Sequence, residues 1–491
     1  MIQVHNLKYS YPNGEKVLAG IDLTVSSGEY LLVCGANGSG KSTLAYTFNG
    51  LIPHHFGGIL EGSVKVSGLD TAFHPPAELF SHAGLVLQNS DAQLFNATVE
   101  DELAFGLESL GMAPEEISRR VRKAAAEFEI EHLLSFAPSR LSGGERKLVS
   151  IAAVLGAEPP LVILDEPFAN LDWAGSENLR RILGRVHQRG TTVVVVEHVL
   201  EDLPAELNRC VLIDRGRIKA DVSAEAMMPI LREARLIPRY PAPLTHGAGQ
   251  PLLTLENLKA EREGRVILRG VSFSIRQGEN VALVGRNGCG KTTLVKHLNG
   301  LLKPSAGKVT YKEHDVTGLG PSRMASLVGI SFQNPNDQFF TFSVGEELLA
   351  GPRALGKTRN ARFEEMLDLF KLKNFWDRSP YRLSEGEKKR VAICSILAME
   401  PEMLVLDEPT AGQDGHFRES LASSLNRLAE TGLTTLVVTH DLEFASAVAS
   451  RWILLEEGVV ASDGSASEVR SAVKTSRTYE QGAGGGGHER P

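Results

Sequence analysis

GANGSGKST (35–43) returns as GRNGCGKTT (285–293), and this pair decides the architecture. Both stretches fit Gly-x-x-x-x-Gly-Lys-Ser/Thr. Glycines let such a loop curl until its backbone N–H groups point inward at phosphate oxygens. A helix expected to start near Lys41 or Lys291 adds its positive end. The residues assigned to the nucleotide are therefore Gly35, Asn37, Gly38, Ser39, Gly40, Lys41, Ser42 and Thr43, and again Gly285, Asn287, Gly288, Cys289, Gly290, Lys291, Thr292 and Thr293. Lys41 and Lys291 supply point charges for the β- and γ-phosphates, and Ser42 and Thr292 offer hydroxyls to Mg²⁺. One such match could be a chance glycine turn. Two at matched places cannot.

Working outward, four more stretches recur in the same order. LQNSDAQLF (87–95) matches FQNPNDQFF (332–340), and RLSGGERK (140–147) matches RLSEGEKK (382–389). LVILDEPFANLD (161–172) matches MLVLDEPTAGQD (403–414), and VVVVEH (193–198) matches LVVTH (436–440). The spacing between matched residues falls only from 250 (Lys41 to Lys291) to 242 (His198 to His440), so two versions of one fold differ by small loop insertions. The expected domains are 1–237 and 252–475, joined by an exposed Pro/Gly-rich linker, 238–251, and followed by a disordered Gly-rich tail, 476–491.

Short apolar runs such as YLLVCG (30–35), LVILD (161–165) and TTVVVVE (191–197) read as strands buried on both faces, hence parallel. Helical stretches such as 115–130 and 416–430 alternate with them, which gives an α/β core in each half. The chain has 491 residues, 42% of them hydrophobic and 23% charged. Those proportions suit a folded chain of two domains or more. The net charge of −8 is a poor match for sequence-blind nucleic-acid binding. No run approaches the roughly 18 apolar residues of a membrane helix, and MIQVHNLKYS lacks a signal-peptide core. Four widely spaced cysteines, with no CxxC pair, fit a reducing compartment rather than a disulfide scaffold or zinc ribbon.

Asp165 and Asp407 end apolar strands, at the sheet edge where nucleotide sites form, and suit a metal-holding role. Glu166 and Glu408 follow, expected to point elsewhere because strand side chains alternate, and to polarise an attacking water. His198 and His440 end a later strand in each half, and their matched position favours a γ-phosphate contact. The histidines at 54, 55, 74 and 82 read as ordinary surface residues.

Together these motifs resemble one family, the ABC ATPases. LSGGE (141–145) and LSEGE (383–387), each lying shortly before its Asp-Glu strand, look like the ABC signature. The resemblance implies two tandem P-loop ATPase domains of the α/β class. Each would have a mainly parallel sheet, an antiparallel β subdomain and a helical subdomain carrying the signature. It also implies ATP and Mg²⁺ as ligands. It places Gln88 and Gln333 on Mg²⁺ beside Ser42, Asp165, Thr292 and Asp407, makes Asp172 and Asp414 the D-loop aspartates, and sets Tyr11 against adenine. In the family, two domains meet head to tail around two ATPs, each completed by the other half's signature. Ser384 and Gly386 would serve the first site, and Ser142, Gly143 and Gly144 the second. Glu385 stands where the signature usually has Gly, which is expected to weaken the first cage. Gln413 replaces the usual Leu, and Arg262 is the stacking candidate where the second half lacks an aromatic. With Glu166, His198, Glu408 and His440 all present, both sites are expected to hydrolyse ATP.

The stretches 88–111, 333–356 and 49–71 look like the ATPases of energy-coupling-factor and cobalt-type importers. That implies a motor on the cytoplasmic face of a membrane, bound to a transmembrane coupling subunit and a small substrate-binding membrane protein, for a vitamin such as a thiamine precursor or a transition-metal ion. The alternatives are a soluble two-domain ABC ATPase acting on ribosomes and a fused sugar-importer ATPase. A short linker and acidic charge speak against the first, and intact Glu408 and His440 against the second.

Overall fold

A strand shielded on both faces needs no polar alternation, and the central strands have none. The computed structural model describes residues 1–169, 171–198, 204–244, 249–262 and 264–473. In it Tyr30–Cys34, Leu161–Asp165 and Thr192–Glu197 are buried at every position. They form the middle of a six-stranded sheet ordered Arg217–Ser223, Arg209–Asp214, Tyr30–Cys34, Thr192–Glu197, Leu161–Asp165, Gly84–Val86. Every neighbouring pair is parallel except the first, which is an antiparallel hairpin. A separate four-stranded sheet, Lys16–Val25, Ile2–Ser10, Ile59–Val66 and Leu69–Asp70, is antiparallel throughout. One hydrophobic cluster joins that sheet to the central one through Ile2, Leu31, Phe48 and Ile163. A second joins the central sheet to the helices Val99–Ser109, Pro114–Glu127 and Gly143–Gly156 through Leu103, Ala125 and Val149. These layers are those the family resemblance implied.

The second half repeats this plan. Its central order is Val328–Ser331, Met403–Asp407, Thr434–Thr439, Asn280–Val284, Arg451–Glu456, Val459–Ser465. The chain divides into two compact units, one built on Met1–Pro238, the other on Arg239–Gln413 and Phe417 onward. The expected tail 476–491 and linker residues 245–248 lie outside the described residues. Of the described linker residues, 238, 240, 241, 243 and 244 are half-buried, and 239, 242 and 249–251 are exposed. Within the second unit, Ala242 O accepts from Asn426 Nδ2 at 3.1 Å, and the Tyr240 ring stands 6.2 Å from that of Phe444.

The structure also locates the drift in spacing. Asn49 and Asn299 are still 250 apart, but Gln88 and Gln333 are 245 apart. The excess falls at the helical turn Leu51–His54, which has no counterpart among the described residues of the second unit. The remaining three residues go between Gln88 and Ser142, where the helix Pro114–Glu127 corresponds to the shorter Ala361–Leu369.

One polar network recurs intact away from the phosphate loops. Arg451 makes a bidentate pair with Asp463 (2.7 Å twice) and donates to Glu279 Oε1 and Ser274 O, both at 2.9 Å. Arg209 does the same with Asp221, Glu29 and Thr24 O. A planar guanidinium suits this, since its fork matches a carboxylate and leaves donors for a carbonyl.

Candidate functional site

Each phosphate loop leaves a central strand and enters a helix that begins at the lysine itself, Lys41–Phe48 or Lys291–Leu298. Glycine is required at the loop's first position. A Cβ on Gly35 would stand 2.2 Å from Ile213 O, and one on Gly285 would stand 2.3 Å from Leu455 O. Gly40 and Gly290 precede the helices with φ of +105° and +106°. Other residues enter that left-handed region at a cost of about 1 kcal/mol or more. The lysines fold over their own loops. Lys41 Nζ donates to Gly35 O (2.8 Å) and Ala36 O (2.9 Å), and Lys291 Nζ donates to Gly285 O (2.7 Å) and Arg286 O (3.0 Å). Burial lowers the Lys41 pKa, with Glu166 and Asp165 opposing.

Five other expected residues gather around Lys41. Ser42 Oγ donates to Asp165 Oδ1 at 3.0 Å, Gln88 Nε2 donates to Glu166 Oε2 at 2.6 Å, and His198 Nδ1 lies 3.0 Å from Glu166 Oε1. Around Lys291 the second unit gathers Thr292 on Asp407, and His440 Nδ1 at 3.0 Å and Lys291 Nζ at 3.8 Å from Glu408. Gln333, by contrast, is exposed. The expectation that alternation turns the glutamates away needs correcting. Strands end at Asp165 and Asp407, and Glu166 and Glu408 turn out through left-handed φ of +49° and +47°. Their N–H groups still donate to the neighbouring strand, at Val196 O and Val438 O.

Electrostatics separate the two carboxylates of each pair. Burial, then the adjacent glutamate, pushes Asp165 and Asp407 up to about 6. Burial also raises Glu166 and Glu408, but His198 and His440, with help from the lysines, more than reverse this and leave both lowered. The donor sets suit Mg²⁺, which takes one or two carboxylates with substrate phosphates and keeps much of its water. Ser42 with Asp165, and Thr292 with Asp407, each offer a hydroxyl and one carboxylate at hydrogen-bond distance. Asp407 Oδ1 is buried with no hydrogen-bond partner among the described residues.

The signature serines begin helices. Ser142 caps Gly143–Gly156 and Ser384 caps Glu385–Leu397, each in a reciprocal box with Glu145 or Glu387. Gly143, Gly144 and Gly386 lie in the first turns. The Glu385 charge, expected to trouble the phosphate cage, is paired with Lys388 Nζ at 2.8 Å. A Cβ on Gly386 would stand 3.0 Å from Gln413 Oε1. Asp172 caps the helix Trp173–Gln188, accepting from Gly175 N at 2.9 Å, and Asp414 directly precedes the helix Gly415–Glu430. Tyr11 pairs its hydroxyl with Thr43 Oγ1 at 3.1 Å, and its ring stands edge-on to Tyr9 and Phe56. Arg262 ends the strand Pro251–Arg262.

Sequence reading missed three kinds of residue. Tyr46 donates to Asp165 Oδ2 at 3.1 Å and stacks on Phe56, which lies in the five-residue excess; Lys296 holds the matched place in the second unit. Gln93 and Gln338 turn back to accept from Leu87 N and Phe332 N, shaping the loops that carry Gln88 and Gln333. Glu197 is buried beside His198 and accepts from Phe168 N and His198 N, both at 3.2 Å, where the second unit has Thr439. The recurring Q-N-x-x-x-Q spelling could have flagged the glutamines. Nothing in the sequence could have flagged Tyr46.

Burial pushes the Glu197 carboxyl from 4.5 up to about 7. A raised carboxyl favours folding when protonated, so its contribution is present below about pH 4.5 and is lost as pH rises through about 7. Glu197→Thr is therefore expected to flatten the stability profile between those pH values, by up to about 3 kcal/mol. Urea unfolding of parent and variant at both ends of the window measures it; parallel profiles would refute it.

The ABC transporter family model matches residues 18–169 and 268–411. A putative ABC transporter ATP-binding protein of Methanosarcina mazei is 33% identical, covering 96% of this chain and 90% of its own. The putative HMP/thiamine import ATP-binding protein YkoD of Bacillus subtilis is 31% identical over 96% of this chain and 92% of its own. Among solved structures, the archaeal ribosome recycling factor aABCE1, in complex with the ribosomal stalk protein aP1, superimposes with a TM-score of 0.70. It does so at 22% identity, over 96% of this chain and 92% of its own, which shows shared fold.

Proposed function

The chain belongs to the ABC transporter family, with an ATPase domain in each half, and from that membership we propose that it is the ATP-hydrolysing motor of an energy-coupling-factor-type importer. Its cargo in this reading is a vitamin such as a thiamine precursor or a transition-metal ion such as cobalt. The motor is peripheral to the cytoplasmic face of the membrane and bound to a transmembrane coupling subunit and a small substrate-binding protein. The observation that carries the importer reading is the full-length similarity to a putative HMP/thiamine import ATPase. Among the described residues, no helix is long and apolar enough to cross a membrane.

Exposed aromatics beside the Gln88 and Gln333 loops support a partner there. Phe95 is 66% exposed, Phe340 72% and Phe342 90%. Single exposed apolar residues are ordinary, but these sit on built loops. The buried Glu102 carboxylate accepts from Phe95 N and Asn96 N, and Glu347 accepts from Phe340 N and Thr341 N. Two buried carboxylates thus hold apolar side chains out in water, as a docking surface requires.

In the chemistry of this reading, loop amides and Lys41 or Lys291 hold the phosphates. Ser42 and Asp165, with Gln88 close by, and Thr292 and Asp407 would hold Mg²⁺, which would neutralise charge on the β- and γ-oxygens. Glu166 or Glu408 orients a water toward the γ-phosphate, and its lowered pKa keeps it ionised.

The rival reading is a soluble ATPase on ribosomes, with which the chain shares a fold. Co-expression with candidate membrane subunits, followed by fractionation, separates the two. Recovery with membranes only when those subunits are present is expected. Recovery with ribosomes would overturn the importer reading. Serine at the three aromatic positions (Phe95→Ser, Phe340→Ser, Phe342→Ser) is expected to release the chain from membranes, while Glu166→Gln stays bound.

A further inference from the structure

Two lysines given no role so far occupy the same place in each unit. Lys147 and Lys389 stand five residues after Ser142 and Ser384, on the signature helices, and are only 2% and 4% exposed. Lys147 Nζ donates to Leu87 O (3.1 Å), Gln88 O (3.0 Å) and Asp165 O (3.4 Å). Lys389 Nζ donates to Gln333 O and to Glu408 O (3.1 Å). One ammonium in each unit thus gathers three parts: the glutamine loop, the signature helix, and the strand end carrying the metal aspartate and the water-orienting glutamate.

Burying an ammonium is costly, and main-chain carbonyls offset only part of the cost. Burial accordingly lowers both lysines, Lys389 to about 8, while the carboxylates around them pull the other way. The neighbouring buried positions on these helices, Val149, Ile151, Val391 and Ile393, are aliphatic. An aliphatic side chain would fill the space without that cost. It would not tie three main-chain segments together.

We propose that Lys147 and Lys389 are positioning residues that transmit movement of the Gln88 or Gln333 loop to the Glu166 or Glu408 carboxylate. The inference rests on the ATP-hydrolysis reading above. A partner that shifts the glutamine loop would drag the lysine, and with it the strand end that orients the attacking water. The link runs through main chain, so it does not depend on which side chains the partner contacts.

The test uses the full chain with Lys147→Met and Lys389→Met, singly and together, and the matching Arg variants. Misplacing a catalytic group by about 1 Å can cost about 10²-fold. The double Met variant is therefore expected to lower kcat by about 10- to 100-fold, with KM for ATP within about threefold. The Arg variants, which keep the charge and its donors, are expected to recover most of the rate. Amide exchange across 87–95 and 332–340 is expected to speed up in the Met variants. Unchanged kcat, or kcat and KM failing together without rescue by Arg, would overturn the proposal. Unchanged exchange would overturn it even in a chain that turned over no ATP, whereas absent turnover in the unsubstituted chain would instead overturn the hydrolysis reading.

Discussion

Glu166→Gln and Glu408→Gln together are expected to lower ATP turnover by about 10³-fold with nucleotide binding retained. Gln keeps the size of the side chain and its contact with His198 or His440. It removes the negative charge that would hold a water against the γ-phosphate. Loop glycines and lysines are untouched, so phosphate binding should survive. The single variants carry more information. Glu166 is held by His198 and Gln88, whereas Glu408 is held by His440 with Lys291 nearby, and Gln333 is exposed. Each single substitution is expected to remove a substantial share of turnover. Full activity in either would show that one site alone drives the cycle. Steady-state phosphate release, with nucleotide affinity measured separately, decides this.

A Cβ on the first glycine of either phosphate loop is expected to be nearly as damaging, but to binding rather than to chemistry. Gly35→Ala puts a methyl 2.2 Å from Ile213 O and 2.7 Å from Ser39 Oγ, and Gly285→Ala puts one 2.3 Å from Leu455 O. Backbone cannot swing aside as a side-chain tip can, so the loop must move, and its N–H groups lose their common focus. ATP affinity is expected to fall by about 10²-fold or more, equivalent to about 3 kcal/mol. Gly38→Ala and Gly288→Ala are the controls. Gly38 and Gly288 both have φ of +76°, with nothing within 4 Å of the added Cβ. They carry only the left-handed penalty of about 1 kcal/mol. Equal losses at 35 and 38 would mean the carbonyl contact is irrelevant.

The repeated motifs and the all-apolar strands were enough to place the parallel core, because burial on both faces leaves a direct mark on composition. They also placed Lys41, Ser42, Asp165 and Glu166 together, since parallel strands of an α/β sheet bring their C-terminal ends to one edge. Strand order, and the pinning of residues 239–242 to the second unit, depend on contacts between distant residues and leave no local pattern. Lys147 shows the same limit. In sequence it is one charge on an otherwise ordinary helix, and only tertiary structure brings Leu87 O, Gln88 O and Asp165 O to its ammonium. The turn of Glu166 through positive φ was also hidden, because nothing about Glu announces a left-handed backbone.

The Arg209 and Arg451 networks carry a historical consequence. Each has the same four acceptors at matched places: an aspartate pair, a glutamate oxygen and a main-chain carbonyl. Four acceptor atoms on three residues do not readily assemble twice by independent invention. The simplest descent is a single-unit ancestor that already held this arginine before its gene was duplicated. Later editing then spared the frame and fell on the Leu51–His54 turn and the helical arm. Where the two descendants still agree, they preserve the ancestor; where they differ, as at Tyr46 and Lys296, at least one has changed since the split.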